Sequence, residues 1–195
     1  PLSAPWFDTY TPAERKRFSV PMQTTRTRIK ICGLSQAADV HAAVQAGADA
    51  VGFVMYAPSA RFVTTTRAAE LAHLLPPFVV PVLLYVNASQ AEVAAGLTAL
   101  PHALLQFHGD ETPAFCDAWA RPYMRAVAMQ PGVDLVDFGH RFKNASALLL
   151  DAPVDGFGGG GKVFNWSLVT SPSTSGLHAA NAPVRTPVVL SGGLN

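Results

Sequence analysis

The 195 residues are 49% apolar and only 14% charged, with a formal net charge of +1, which excludes a disordered chain and a basic nucleic-acid face. No run approaches the roughly 18 uninterrupted apolar residues of a membrane-spanning helix, so no membrane partner is expected. The two cysteines, Cys32 and Cys116, lie far apart; their spacing suggests neither a disulfide framework nor a metal site and fits a reducing cytoplasm.

The chain starts at Pro1, with Met22 just before the first clear strand. Residues 1–21 carry Pro and aromatic residues without periodicity and are expected to be a poorly ordered extension. No basic segment followed by an apolar core marks an export signal. Residues 22–195 are expected to form one domain, a length that suits a barrel of βα units.

From Arg28 short apolar runs alternate with amphipathic stretches. Ile29 to Cys32 is expected to be a strand. Ser35 is expected to cap a helix through Ala38, Val40, Ala43 and Val44, with Gly47 as its stop. Ala50 to Val54 is the second strand, and Thr65 or Thr66 is expected to cap the next helix, which ends before Pro76-Pro77. Pro81 to Val86 is the third strand. Ser89-Gln90-Ala91-Glu92 then has the form of a capping box, opening a helix with Val93 and Leu97 on one face. Leu104 to Phe107 is the fourth strand, and Thr112 with Pro113 starts a helix through Phe115 and Trp119. Met124 to Met129 is the fifth strand, followed by a helix near Val133 to Phe138. Ala147 to Leu150, closed by Asp151, is the sixth strand, and Val188 to Leu190 the seventh.

Strands separated by about 20 to 40 residues and alternating with helical segments predict a parallel sheet, closed as a (β/α)₈ barrel or open and doubly wound. Polar and glycine residues gather at the strand carboxyl ends: Cys32, Asn87, His108, Arg125, Asp151 and Ser191 through Gly193, with Arg61 beyond strand two. So many contributing strands favour a barrel mouth over a single crevice.

Asp151 is followed by Gly156 to Gly161, five glycines in six positions, a backbone able to bring several N–H donors close to a phosphate. A solvated loop is the plainer reading of such a run. The run also satisfies G-x-G-x-x-G and the glycine and lysine positions of a P-loop, but Asp155 is the last acid of the chain and Val163 follows Lys162, so the contexts of both motifs fail. An acid before a phosphate-sized nest suggests a small phosphorylated substrate. Cys32, ending strand one, is either a thiol aimed into the same mouth or a small buried hydrophobe. Thiol and carboxyl across a pocket form a base and acid pair for moving a proton from carbon to oxygen. Arg61 is either a bidentate clamp for a carboxylate or a solvated surface group.

The segments Lys30-Ile31-Cys32-Gly33-Leu34, Gln106-Phe107-His108-Gly109, Leu149-Leu150-Asp151, Gly159 through Trp166 and Leu190 through Asn195 together resemble phosphoribosylanthranilate isomerase. The resemblance runs in order from Arg28 to Asn195. It implies a (β/α)₈ barrel of tryptophan biosynthesis that performs an Amadori rearrangement without cofactor or metal. It makes Cys32 the general base, Asp151 the general acid and Arg61 the contact to the anthranilate carboxylate, while His108, at the mouth after strand four, is a candidate substrate contact. It makes Gly160, Gly161, Gly192 and Gly193 part of the phosphate site. Each catalytic group needs the opposite of its solution default, thiolate and neutral carboxyl, so the pocket is expected to shift both. Asn165 stands where the family commonly has an acid. The family continues past the seventh strand, so a barrel incomplete after strand seven is expected, with unpaired edges at strands one and seven. A barrel that binds phosphate or a partner without turnover is the alternative, and monomer and dimer both stay open.

Overall fold

The computed structural model describes residues 26–153, 163, 165–169 and 186–193. The expected extension over residues 1–21 and the glycines Gly160 and Gly161 lie outside the described residues.

Seven strands form one sheet in the order in which they occur in the chain, each parallel to the next. They are β1 (Lys30–Cys32), β2 (Ala50–Val54), β3 (Val80–Tyr85), β4 (Leu104–Phe107), β5 (Tyr123–Ala128), β6 (Ala147–Asp151) and β7 (Val188–Leu190). Among the described residues five helices cross between them: α1 (Ala37–Gln45), α2 (Thr65–Ala72), α3 (Gln90–Ala99), α4 (Pro113–Asp117) and α5 (Leu135–Arg141). A 3₁₀ turn covers Trp166–Val169. This is the sheet order of a (β/α)₈ barrel carrying its first seven strands. Among the described residues β1 pairs only with β2 and β7 only with β6.

Local chemistry sets the helix boundaries. Ser89 Oγ accepts from Glu92 N while the Glu92 carboxylate accepts from Ser89 N, the reciprocal box read from the sequence. Thr112 accepts from Phe115 N, with Pro113 in the first turn of α4. Helix α1 ends as expected at Gly47, whose φ of +87° is cheap only without a Cβ. There Gly47 N donates to Val44 O and Ala48 N to Ala43 O, a Schellman pair. Two caps differ from expectation. Thr64, not Thr65 or Thr66, caps α2 through Arg67 N, and Gln36 precedes α1 with no side-chain cap. Helix α4 stops at Asp117 rather than reaching Trp119, and Ala120 has a φ of +48°.

Alternation along each strand divides the side chains between two layers. Outward residues such as Val51, Phe53, Leu83, Leu105, Phe107, Leu148 and Leu150 pack against Val40, Leu71, Val93, Cys116 and Leu135 of the helices. Phe107 sits at the centre of this layer, edge-on to Phe115 and Tyr123 at 5.8 Å between centroids in both pairs. Each such buried side chain contributes about 1.5–3 kcal/mol relative to exposure. Inward residues form a floor of Val82, Met124 and Ala147 and a smaller group of Val54, Leu84 and Val86 nearer the mouth.

Arg125 corrects the sequence reading. It lies within β5, on the outward face shared by Tyr123 and Val127, not at the mouth. Its guanidinium donates to Phe107 O at 3.0 Å and Gly109 O at 2.6 Å and lies 5.0 Å from the centroid of the Phe142 ring. Glu111, also buried, is 3.8 Å away. Burial pulls the Arg125 pKa down against the opposing pull of Glu111. Glu111 in turn accepts from Asn87 N and Gly109 N. This cluster ties the loops after β3 and β4 together just beyond His108.

Candidate active site

A cavity of about 240 Å³ opens at the carboxyl ends of the strands, with walls from β1, β2, β3, β4, β6 and the turn after β7. Among the described candidates, Cys32, Arg61, His108, Asp151, Gly192 and Gly193 all line it. The reason is parity: an inward residue at the last position of a strand faces the mouth, and its neighbour two positions back faces the same interior. That rule also places Lys30 and Gln106 in the wall. The sequence reading passed over both, although each stands two residues before a candidate.

Cys32 is half-buried, with a free thiol. Beside it in register is Gly52, where a Cβ would lie 2.6 Å from the Cys32 sulfur; the thiol fills the space that glycine vacates. Gly33 follows with a φ of +84°, and a Cβ there would meet Arg61 Nη1 at 2.6 Å. The Arg61 guanidinium therefore lies flat against the chain after β1 and donates from Nη1 to Cys32 O at 3.3 Å. Its backbone N is held by Ser59 Oγ at 3.2 Å. The side chain is otherwise exposed and lines the cavity.

Asp151, at the end of β6, is buried and accepts two hydrogen bonds. Ala152 N donates to Oδ1 at 2.9 Å, and His108 Nε2 lies 3.2 Å from Oδ2. Behind the histidine, Gln106 Nε2 is 3.1 Å from His108 Nδ1. Burial, the largest single influence, pushes the Asp151 carboxyl up, but the His108 hydrogen bond, the His108 charge when protonated, the Ala152 N–H and the Lys30 charge together outweigh it. The net direction is down. This differs from the upward shift expected for a general acid, because the sequence reading did not pair His108 with Asp151. On the far side, Gly192 and Gly193 both have positive φ, and Ser191 N donates to Leu150 O at 2.8 Å, fixing the turn against β6.

Among the described residues no group of three or more His, Cys, Asp or Glu side chains is arranged to hold a metal ion, and no helix is long and apolar enough to cross a membrane.

A parallel barrel sheet whose mouth holds a thiol, a carboxyl, an imidazole and a guanidinium defines a (β/α)-barrel enzyme of the acid–base kind. The family model of N-(5'-phosphoribosyl)anthranilate (PRA) isomerase matches residues 29–195, and the chain belongs to that family. It is 60% identical over 170 residues to the N-(5'-phosphoribosyl)anthranilate isomerase of Methylibium petroleiphilum, covering 87% of this chain and 75% of the relative. The crystal structure of phosphoribosyl anthranilate isomerase from Thermus thermophilus superposes with a TM-score of 0.74 at 26% identity, over 86% of this chain and 78% of that one. Another solved isomerase, in complex with reduced 1-(o-carboxyphenylamino)-1-deoxyribulose 5-phosphate, gives a TM-score of 0.70 at 30% identity, over 87% and 77%.

Proposed function

We propose that this chain converts N-(5-phosphoribosyl)anthranilate to 1-(2-carboxyphenylamino)-1-deoxyribulose 5-phosphate in tryptophan biosynthesis, with Asp151 as general acid and Cys32 as general base. The observation that carries this reading is that Cys32 and Asp151, from strands one and six, line one cavity in a chain of this isomerase family.

Asp151 gives a proton to the ribose ring oxygen, the bond from that oxygen to the anomeric carbon breaks, and the anthranilate nitrogen lone pair forms the iminium. The Cys32 thiolate then takes the proton from the adjacent carbon, leaving an enolamine that tautomerises to the amino ketone. No electrons leave the substrate, so the step needs no redox cofactor. Asp151 starts from a lowered pKa, and the anionic substrate supplies the correction: a phosphate and a carboxylate brought into a site they close to water favour the neutral carboxyl. Arg61, with its fork at the mouth, takes the anthranilate carboxylate. His108 contacts substrate beside Asp151, and Gly192 and Gly193, with Gly160 and Gly161, offer backbone N–H groups to the phosphate. The catalytic domain is residues 22–195, with residues 1–21 as an extension, and the reduced Cys32 that the chemistry needs fits the cytoplasm. A binding barrel without turnover is the less favoured reading, since both members of the proton-transfer pair stand at strand ends.

The test is steady-state conversion of N-(5-phosphoribosyl)anthranilate by the protein and by its Cys32→Ala and Asp151→Asn variants. Each variant should lose about 10²-fold or more in kcat, the range for positioned proton transfer, with a smaller change in KM. Wild-type turnover in Cys32→Ala would remove the base assignment.

A further inference from the structure

Gln106 is fully buried, yet it lines the cavity and spends its amide on a histidine rather than on the backbone. An amide Nε2 only donates, so the His108 Nδ1 that faces it at 3.1 Å is an acceptor. The one proton of a neutral ring then sits on Nε2, which points at Asp151 Oδ2 3.2 Å away. The side chains of His108 and Asp151 are only 12% and 11% exposed. At that depth an imidazolium and a carboxylate would both have to be desolvated, a cost that their attraction repays only where the remaining protons are hydrogen-bonded, and Gln106 Nε2, itself a donor, gives an Nδ1–H no acceptor.

We propose that Gln106 is a positioning residue that holds His108 as the neutral Nε2–H tautomer, so that Asp151 is oriented by an uncharged donor. The proposal rests on the reading of Asp151 as the general acid. A neutral donor fixes the carboxyl and leaves it able to take up a proton when substrate binds. An imidazolium in the same place would hold it as carboxylate through the catalytic range. Among the described residues the other charged or titratable groups facing the cavity are Lys30, Cys32, Tyr56 and Arg61. Of these, Lys30 adds positive charge felt by Asp151, which makes a second cation at His108 still less compatible with an acid there. Gln106 Oε1 is buried with no hydrogen-bond partner among the described residues.

The experiment has two arms. The first is the ¹⁵N chemical shifts of His108 in the unmodified protein at pH 7, with the resonance assigned by its loss in His108→Asn. A protonated Nε2 and an unprotonated, hydrogen-bonded Nδ1 are expected; a protonated Nδ1, in either the other tautomer or the imidazolium, would overturn the proposal. The second arm compares kcat–pH profiles of Gln106→Glu and Gln106→Met. In Gln106→Glu a carboxylate accepts from Nδ1–H and favours the imidazolium, so kcat at pH 7 should fall about 10²-fold and the basic limb of the profile should move to lower pH. Gln106→Met, similar in shape but without a donor, should fall less, by about 10-fold, with a smaller displacement of that limb. Equal losses in both variants with the limb unmoved would mean that Gln106 only fills space. If Asp151→Asn retained turnover, the acid reading would fail while the tautomer measurement still stood on its own.

Discussion

The Cys32 sulfur occupies the space where Gly52 would otherwise carry a side chain: a Cβ at position 52 would come within 2.6 Å of it. Gly52→Ala therefore reaches the proposed base without altering any ionisable group. The added methyl should turn the thiol off its line to the cavity, lowering kcat by at least about 10-fold while KM changes less. Kinetics paired with a thermal melt would check it. A melt lowered in step with an unchanged kcat would mean that the sulfur had room to move without consequence.

Arg61 rests on Gly33 and on Cys32 O. Arg61→Lys keeps the charge but loses the planar fork that a carboxylate fits, so kcat/KM for the anthranilate substrate should fall by about 10-fold. An unchanged value would return this side chain to the solvated surface.

Gly96, in the middle of α3, should break the usual helix rule. An exposed Gly→Ala change in a helix interior gains about 1 kcal/mol from propensity. Here the new methyl would stand 1.9 Å from the Tyr85 hydroxyl and 3.1 Å from Leu83 Cδ1, so Gly96→Ala should instead destabilise by about 1–3 kcal/mol. Urea unfolding decides the sign, and a stabilised variant would show that Tyr85 can withdraw.

Arg125 and Glu111 make the second stability test. Arg125→Met leaves the Glu111 charge buried without its cation and should cost about 3–5 kcal/mol. The double change Glu111→Gln with Arg125→Met should recover part of that loss. A single variant as stable as the parent would mean that the two backbone donors, Asn87 N and Gly109 N, hold the carboxylate unaided.

The acid limb of stability should report Asp49. The carboxylate accepts from Arg26, from Ile29 N at 2.8 Å and from Arg28 at 3.2 Å, and these partners, Arg26 foremost, lower its pKa from 3.8 to about 2. A depressed folded-state value means stability that is present above the unfolded pKa and lost as pH falls from about 4 towards 2. Asp49→Asn should flatten the pH dependence of Tm across that window, less so at high salt, where surface pairs are screened. An unchanged slope would assign the acid transition to other carboxylates.

Features that depend on near neighbours are legible in the sequence. Ser89 with Glu92, Thr112 with Pro113, and Gly47 after α1 each settle their geometry within a few residues. The cap of α2 is not, because Thr64, Thr65 and Thr66 are chemically equal and only the path of the chain from Val63 chooses among them. Arg125 was misplaced for a related reason: a charge in a strand suggests a mouth, and nothing nearby in sequence shows that Glu111 and two carbonyls wait on the helix side. The contact of His108 with Asp151 joins β4 to β6 across the barrel. It set the direction of the Asp151 shift against expectation. Lys30 and Gln106 were within reach, since counting back two residues from Cys32 and His108 puts them on the same wall.

Every pair of neighbouring strands in the sheet is also consecutive in the chain, so the sheet can grow in the order of synthesis, every new βα unit docking on an edge already made. The proposed base and the proposed acid, however, belong to β1 and β6. A nascent chain holding its first five strands has most of its ladder and the proposed base, but no acid to oppose it. On that assignment turnover is a late event in this protein's biogenesis, and a ribosome-stalled series of increasing length would register it only once β6 and the turn after β7 have both emerged, well after secondary structure has begun to accumulate.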